Sequence, residues 1–254
     1  MKIVVVGGTG LIGRQLVTRL LRDGHAVSVA AREFGIDAVS GVGLDSAFAG
    51  ADAVVDVTNV DAAQRSSAKE FFVAASRKLL EAEDRAGVKH HVVLSIVGAD
   101  AARSTGYFAA KAAQELVVSE GAVPFTIVRA TQFYEFAHQV ANWNTVADTV
   151  HLPPRVVRPI ASTDASERLS KVLTQEPING VTEVAGPDLL RLDDFVRRVL
   201  RKDHDNRYVV CNPAAEPVGF NLPSEAVLPG RDAVISETSL EAWLSHKHLN
   251  VSLI

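Results

Sequence analysis

The sequence predicts an α/β protein in which helices cover a parallel sheet. Short runs of β-branched residues alternate with longer helical stretches in the first part of the chain, which is typical of strands joined by crossover helices. The strand runs are apolar throughout, as expected of strands buried on both faces. A glycine-rich turn joins the first strand to the first helix. Together these features predict a doubly wound parallel sheet of the Rossmann type.

Five strands and four long helices are predicted before residue 150. The apolar strand runs are Ile3–Val6, Ala26–Ala30, Ala53–Val57, Val92–Leu94 and Phe125–Val128. The helical stretches are Leu11–Arg22, about Ala62–Ala86, Tyr107–Ser119 and Phe133–Val146, with a short helix near Leu44–Ala49. Gly24 and Gly87 follow two of these helices and suit left-handed helix ends.

The character of the chain changes after about residue 150. Most of the ten prolines follow that position, so the C-terminal part is expected to be rich in loops. Two helices, Asp164–Thr174 and Leu192–Leu200, and a strand near Val181–Val184 are still predicted. We interpret residues 1–254 as a single domain, with a core at 1–150 and a small loop-rich substrate lobe at about 151–254.

Composition and charge exclude several classes of partner. The 254 residues carry 26 lysines and arginines against 30 acidic residues, a formal net charge of −4. Proteins that bind nucleic acids usually show a basic excess, so no nucleic-acid partner is expected. The apolar runs are far shorter than the roughly 20 residues that cross a bilayer, so no membrane partner is expected. The expected partner is a small-molecule substrate, and the sequence leaves monomer and homodimer open.

The single cysteine and the histidines bear on location and metals. Cys211 has no second cysteine to pair with, which indicates a reducing compartment. The apolar N-terminus meets Gly7 too early for a signal peptide. We therefore expect a cytoplasmic protein. The histidines lack the spacing of a zinc site, so no metal is expected.

The strongest local signal is the segment Gly7-Gly8-Thr9-Gly10-Leu11-Ile12-Gly13. It follows the first buried strand and opens an amphipathic helix, the context in which such a motif binds a dinucleotide. Its glycines let the backbone approach a pyrophosphate and aim the helix N-terminus at it. A purely structural turn is the alternative.

Arg32 bears on the choice between NADP and NAD. In dinucleotide-binding folds an acidic residue about 20 positions beyond the glycine motif holds the ribose 2′-hydroxyl. Here Arg32 stands at that distance, and a guanidinium can pair with a 2′-phosphate. Glu33 could instead pair with Arg32 or hold a hydroxyl, and Arg32 could be a solvated surface residue. NADP is favoured, with NAD possible.

Tyr107 and Lys111 form the candidate catalytic pair. They lie four residues apart, hence on one helix face. A tyrosine has a pKa near 10, and a neighbouring ammonium lowers it toward the useful range. Ser95 ends the preceding strand and could hold a substrate oxygen, and Ser104 and Thr105 could cap the helix. A surface tyrosine with a solvated lysine is the alternative.

The sequence resembles an atypical short-chain dehydrogenase/reductase of the NmrA-like group. The segments that carry this resemblance are Gly7–Gly13, Val54–Asn59, Leu94–Asp100, Tyr107–Lys111 and Val128–Phe136. The resemblance covers the first 140 residues well and implies a Rossmann fold that binds NAD(P). Members of this group often lose the tyrosine and act as redox sensors or assembly factors, whereas this chain keeps it.

The resemblance also implies roles for individual residues. Those expected at the pyrophosphate are Gly7, Thr9, Gly10, Leu11 and Ile12. Arg32 is expected at the adenosine ribose, Thr58 and Asn59 beside the adenosine half, and Lys111 at the nicotinamide ribose. The loop expected to pass the nicotinamide is formed by Ala130, Thr131, Gln132 and Phe133.

These observations favour an NADP-dependent oxidoreductase. Hydride would pass between the nicotinamide and a small carbonyl, enone or quinone, with Tyr107 as the acid, Lys111 tuning it and Ser95 holding the oxygen. The main alternative is a non-catalytic NAD(P)-sensing regulatory or assembly protein. An epimerase or dehydratase is a second alternative, although no sugar-nucleotide signature is evident. The aromatic cluster at residues 133–136 suits an apolar substrate or core packing equally.

Overall fold

The computed structural model describes residues 1–60, 67–101, 106–216 and 222–246. The strands are β1 (Lys2–Val6), β2 (Ala26–Ala30), β3 (Ala53–Asp56), β4 (His90–Ile96), β5 (Phe125–Ala130), β6 (Thr145–Val146), β7 (Thr149–Leu152), β8 (Val156–Val157), β9 (Gly180–Ala185), β10 (Leu190–Arg191), β11 (Tyr208–Cys211) and β12 (Val234–Ile235). The α-helices are α1 (Leu11–Arg22), α2 (Leu44–Phe48), α3 (Ala68–Ala86), α4 (Gly106–Ser119), α5 (Ala137–Trp143), α6 (Ser162–Leu173), α7 (Leu192–Lys202) and α8 (Leu240–His246).

A seven-stranded parallel sheet forms the centre of the fold, in the order β12-β9-β5-β4-β3-β1-β2. The register aligns Val4 of β1 with Ser28 of β2 and with Val54 of β3. The chain runs outward from β1 to β2, then returns to the other side of β1 with β3. This reversal beside β1 is the topological switch point at which α/β sheets bind ligands. The predicted doubly wound sheet is confirmed.

Most predicted elements are found within a few residues of their expected bounds. Helix α1 has the predicted limits, and α3 ends at the predicted Ala86. The expected start of that helix, residues 62–66, lies outside the described residues, as do Ser104 and Thr105, the expected cap of α4.

The predicted helix Phe133–Val146 is wrong as a single element. The structure has a 3₁₀ turn at Tyr134–Phe136, the seven-residue helix α5 and then the short strand β6. Phe133 is held outside the helix by a bridge to Ile160, and Tyr134 donates its N–H to the Ile160 carbonyl. Tertiary pairing therefore overrides the apolar helical pattern.

One strand departs from the expected burial on both faces. In β1 and β3 every residue from Val4 to Val6 and from Ala53 to Asp56 is buried. In β2, by contrast, exposed and half-buried residues alternate. The cause is its position, because β2 ends the sheet and has a strand on one side alone.

The chain divides into two compact units. The first comprises residues 1–129 and 165–182, and the second residues 130–164 and 183–254. This division does not follow the sequence order, since residues 165–182 return to the first unit. The core of the first unit joins apolar side chains of α2, α3 and α4 to the sheet, with Phe48 and Leu79 fully buried.

The second unit contains two small sheets and the helices α5, α7 and α8. Strands β11, β7 and β6 form one sheet, and β10 pairs with β8 in the other. Tyr134 is fully buried against the rings of Phe195 and Trp243, and its hydroxyl donates to the Thr238 carbonyl at 3.2 Å. For Tyr134, core packing is therefore the observed role. Within the described ranges no helix is both long and apolar enough to cross a membrane.

Two adjacent buried histidines begin β4, and their pKa values are shifted in opposite directions. His90 is 4% exposed, and burial together with the charge of His91 lowers its pKa to about 4. His91 is fully buried, with Nδ1 2.9 Å from both carboxylate oxygens of Glu83. Burial alone would lower the pKa of His91, but Glu83 and then Asp56 raise it above its usual value. His91 and Glu83 are thus hydrogen-bonded inside the first unit and form a buried ion pair while His91 is protonated.

We expect His91→Gln to lower the free energy of unfolding by about 3–5 kcal/mol near pH 6, the usual loss when one partner of a buried ion pair is removed. The deficit should shrink as the pH rises to 9. A histidine with a raised folded-state pKa stabilises the fold fully below its unfolded pKa and loses that contribution as pH passes the folded value. Urea unfolding at a series of pH values measures the deficit, with His25→Gln as the control. A deficit that grows with pH contradicts the ion pair.

Candidate active site

The glycine turn closes tightly between β1 and α1. Gly7 has φ +81°, a backbone conformation that favours glycine. The N–H of Gly10 donates to the Gly7 carbonyl at 3.0 Å. A Cβ built on Gly13 would lie 2.2 Å from the same carbonyl oxygen. Glycine at position 13 is therefore required by the packing of the turn against the first helical residues.

Gly10 differs from Gly13 because the protein itself does not require a glycine there. A Cβ on Gly10 would meet the Gly7 carbonyl at 3.4 Å, an ordinary contact. Gly10 is also the N-cap of α1, with extended backbone and no side-chain cap, and the first turn has no acidic residue. The first N–H groups of the helix are thus left for an anionic ligand. This open space is what a bound pyrophosphate needs.

The other residues expected at the pyrophosphate belong to the same turn. Thr9 is half-buried and Leu11 is 41% exposed. Ile12 is buried, and its carbonyl lies 3.4 Å from the hydroxyl of Ser166. Thr9 and Leu11 are therefore partly accessible to solvent, whereas Ile12 belongs to the core.

The loop after β3 lies directly against the turn. A Cβ on Gly7 would be 3.0 Å from the Thr58 nitrogen, and the Val57 N–H donates to the Val6 carbonyl. The Thr58 hydroxyl is buried and has no hydrogen-bond partner among the described residues. A buried polar atom without a partner calls for one, and a ligand on the turn would supply it. Thr58 thus fits the nucleotide role expected for it.

Arg32 follows β2, and its positively charged side chain is accessible to solvent. It begins a 3₁₀ turn, Arg32–Phe34, and its side chain is exposed. Among the described residues it forms no ion pair with Glu33, so the expected competition from that carboxylate is not observed. Phe34 is 62% exposed on the same turn.

Tyr107 lies beside the loop that follows β3. Its hydroxyl donates to Asn59 Oδ1 at 3.1 Å, and its ring packs edge-on against Phe72 of α3, with 6.1 Å between the centroids. The residue is half-buried. Because Asn59 directly follows Thr58, the phenol is joined through two consecutive residues to the glycine turn. Tyr107 thus has a hydrogen-bond partner and a ring contact inside the first unit.

Lys111 is buried rather than solvated, with 2% of the residue exposed. Its Nζ donates to the Leu94 carbonyl at 2.7 Å and to Gln114 Oε1. Nζ also lies 4.4 Å from the ring centroid of Phe72, so the pair Tyr107 and Lys111 shares one aromatic support. Two of the three ammonium donors are used inside the protein.

Burial and nearby carboxylates have opposite effects on the pKa of Lys111. Burial lowers the pKa of its ammonium to about 8, although the carboxylates of Asp56 and Glu115 oppose that shift. Lys111 therefore changes its charge just above neutral pH. An ammonium favours the phenolate of a nearby tyrosine only while it is protonated.

Ser95 has a different partner from the one expected. It is 5% exposed, and its hydroxyl donates to Glu115 Oε1 at 2.5 Å. Glu115 in turn accepts two hydrogen bonds from the Arg129 guanidinium, which also pairs with Asp100. This network joins β4, α4 and β5. The geometry favours a structural role for Ser95 and lends no support to a substrate-holding one.

The loop expected at the nicotinamide belongs to the second unit. Ala130 ends β5 and is buried. Both side-chain polar atoms of Gln132 and the hydroxyl of Thr131 are buried without a partner among the described residues. The Phe133 ring lies 5.7 Å from that of Phe136. The unsatisfied Gln132 amide is the feature of this loop that suits a polar ligand.

Four residues of the site are not foreseen from the sequence. They are Asp56, Phe72, Gln114 and Glu115. Sequence signals could have found two of the three polar ones: Asp56 is a carboxylate at the end of a buried strand, and Gln114 follows Lys111 by three residues, on the same helix face. No signal in the sequence links α3 to Lys111, because the contact with Phe72 is tertiary.

Comparison with known proteins shows to which family the chain belongs and which solved structures share its fold. Residues 7–151, more than half of the chain, match the family model described as NAD(P)H-binding. The chain belongs to the NAD(P)H-binding family. The resemblance to the atypical short-chain dehydrogenase/reductases is thereby confirmed at the level of family and fold.

One curated relative is the photosystem II assembly factor Ycf39 of Synechocystis sp.. It is 27% identical over 149 residues, which cover 53% of this chain and 46% of that protein. The match thus spans about half the length of the relative.

Two solved structures are similar over nearly the whole chain. A dTDP-4-dehydrorhamnose reductase ortholog from Clostridium acetobutylicum has a TM-score of 0.75 and 17% identity, covering 98% of this chain and 99% of that one. The dTDP-4-dehydrorhamnose reductase of Bacillus anthracis, in complex with NADP, has a TM-score of 0.70 and 13% identity, covering 98% of each chain. At these identities the likeness establishes the fold of this NAD(P)H-binding protein.

The two glycines of the turn separate binding from folding. Gly10→Val should weaken NADPH binding by at least about 100-fold, because the side chain fills the space that the pyrophosphate needs. The melting temperature should stay within about 2 °C of the parent, since Cβ at position 10 meets no strained contact. Isothermal calorimetry and thermal denaturation measure the two effects.

Gly13→Ala is the matched comparison. Its methyl group would overlap the Gly7 carbonyl, so it should lower the melting temperature by more than about 5 °C. Unchanged affinity in folded Gly10→Val protein would place the nucleotide elsewhere.

Proposed function

We propose that this NAD(P)H-binding protein is an NADP-dependent oxidoreductase that reduces a small carbonyl, enone or quinone. The proposal rests above all on the hydrogen bond from Tyr107 to Asn59 at 3.1 Å. Through Asn59 and Thr58 it ties a proton-donating phenol to the loop that lies on the glycine turn. A phenol held there, with a buried ammonium four residues along the same helix, is equipped for acid catalysis.

The chain's own residues would handle the proton. When bound, the cofactor supplies the hydride. The Tyr107 hydroxyl, directed at Asn59 in the structure, would turn to donate its proton to the substrate oxygen. The charged Lys111 would stabilise the phenolate that remains. Phe72, packed against both side chains, would keep water from one side of the pair.

NADP is proposed as the preferred nucleotide because Arg32 is exposed at the end of β2 and forms no ion pair with any residue that the structure describes. A free guanidinium can form a charge-assisted, two-point contact with a 2′-phosphate. Within the described parts of the chain no carboxylate neutralises Arg32, and this favours NADP over NAD.

A second candidate function is supported by the curated relative, whose name is that of an assembly factor. In that case the chain would bind NAD(P)H without turnover and act through a protein partner. Retention of Tyr107 beside a buried Lys111 favours the enzyme, because a sensor has no need for a positioned proton donor.

The choice of nucleotide has a direct test. NADPH should bind more tightly than NADH by about 10–150-fold, the ratio expected of a charge-assisted contact worth roughly 1.5–3 kcal/mol. Arg32→Ala should remove most of this preference and leave NADH binding almost unchanged. Arg22→Ala, an exposed arginine at the end of α1, is the control and should keep the preference. Equal affinities in the parent protein would defeat the assignment to Arg32.

The proton donor is tested by Tyr107→Phe. Loss of a positioned acid should reduce NADPH oxidation by about 10²–10⁴-fold, while the affinity for NADPH should barely change. The assay follows NADPH absorbance with a panel of carbonyls, enones and quinones. Tyr208→Phe removes the hydroxyl of a tyrosine that is 73% exposed and should leave turnover intact.

Two results would count against the proposal in different ways. Full turnover by Tyr107→Phe would remove the tyrosine from the mechanism. Absence of turnover by the parent protein on the whole panel, with NADPH still bound, would favour the non-catalytic candidate.

A further inference from the structure

We propose that Gln114 and Asp56 are positioning residues that hold the ammonium of Lys111 in place and that deleting the Gln114 carbonyl releases it. Neither residue belongs to the glycine turn or to the pair Tyr107 and Lys111. The effect on turnover rests on the proposed function, whereas the placement of the ammonium does not.

First, the buried ammonium of Lys111 requires hydrogen-bond acceptors inside the protein. A buried ammonium has three donors and no acceptor, and each donor left without a partner is costly. The Leu94 carbonyl and Gln114 Oε1 accept two of them. The Leu94 carbonyl is backbone of β4 and cannot be varied by substitution. Gln114 is therefore the side-chain acceptor that can be substituted to change the environment of the ammonium.

The second step is the orientation of the Gln114 amide. Gln114 is fully buried, and its Nε2 donates to Asp56 Oδ2 at 2.9 Å. An ammonium can only donate, and an ionised carboxylate can only accept. One orientation of the amide satisfies both neighbours: oxygen toward Lys111 and nitrogen toward Asp56. Asp56 thus determines that Gln114 presents an acceptor to the lysine.

The third step is the anchoring of Asp56. Its other oxygen, Oδ1, accepts the Thr58 N–H at 2.8 Å. Asp56 is 1% exposed at the end of β3, and both of its carboxylate oxygens are bonded inside the protein. The same group therefore fixes the loop that carries Thr58 and Asn59, the acceptor of the Tyr107 hydroxyl. Both members of the catalytic pair are positioned from one carboxylate.

The charges around Lys111 define what a titration should report. Asp56 of β3 and Glu115 of α4 favour the charged ammonium, and burial opposes it. Glu115 is already paired with Arg129 of β5, and Asp56 also acts on His91 of β4. Helix α3 contributes the neutral ring of Phe72. Gln114 is the uncharged polar side chain among these neighbours that accepts a hydrogen bond from the ammonium.

The test follows the ammonium itself by NMR. Protein labelled with ¹³C at lysine Cε is titrated with pH, and Lys111→Met identifies the signal. In Gln114→Met, which keeps the side-chain length, the midpoint should fall by about half a pH unit or more, because an acceptor for the charged form is lost. In Gln114→Glu it should rise by about one unit or more, because a carboxylate faces the ammonium.

Controls separate this effect from a general loss of packing. Gln175→Met replaces an exposed glutamine after α6 and should leave the midpoint unchanged. If Gln114→Glu does not fold, Asp56→Asn removes a charge without changing shape and should lower the midpoint. Circular dichroism confirms that each variant is folded. Unchanged midpoints in the folded variants overturn the proposal.

Turnover adds a readout that depends on the proposed function. The alkaline limb of kcat/KM should move to lower pH in Gln114→Met and to higher pH in Gln114→Glu, following the NMR midpoints. If the parent protein has no turnover, the proposed oxidoreductase function fails while the NMR titration still decides the role of Gln114. If turnover is present but its limb does not follow the midpoints, the role of Gln114 in the reaction is overturned.

Discussion

The buried carboxylate of Asp56 is the group on which the arrangement of the first unit's site depends. A carboxylate at 1% exposure must have its oxygens satisfied inside the protein. One oxygen takes the Thr58 N–H and the other takes the Gln114 amide. The loop after β3 and the middle of α4 are thus held by one charge at the end of one strand. The glycine turn, the phenol and the ammonium are positioned by what Asp56 holds.

A second network also ties α4 to the sheet. Ser95 of β4 and Arg129 of β5 both bond to Glu115, which follows Gln114 on the helix. Two consecutive residues of α4 therefore have different roles. Gln114 accepts a hydrogen bond from Lys111, and Glu115 bonds the helix to two strands. A buried ion pair of this kind gains most from fixing geometry, since its net contribution to stability is small once desolvation is included. This geometry fixes the helix that carries Tyr107 and Lys111.

The same observations bear on the choice between enzyme and sensor. A binding module needs the glycine turn, the exposed Arg32, the buried Thr58 hydroxyl and an ammonium for the nicotinamide ribose, and none of these contacts requires the pKa of that lysine to be lowered. The chain nevertheless buries Lys111 at a cost, with a pKa brought down to about 8. Desolvation of a lysine is expensive, and a purely structural position would be filled better by an apolar side chain. This cost is the physical reason to favour proton chemistry.

The sequence by itself determined the fold class, the glycine turn, the limits of α1 and the spacing of Tyr107 and Lys111. These follow from local causes: apolar periodicity, the freedom of glycine backbone and the pitch of a helix. Tertiary structure alone decided which partner each polar group would take. In the folded protein Ser95 is hydrogen-bonded to Glu115, and Gln114 to Asp56. The bridge from Phe133 to Ile160 interrupts the helix expected at residues 133–146. Such pairings join residues from 20 to 58 positions apart, so they depend on how strands and helices pack and leave no periodic trace in the chain.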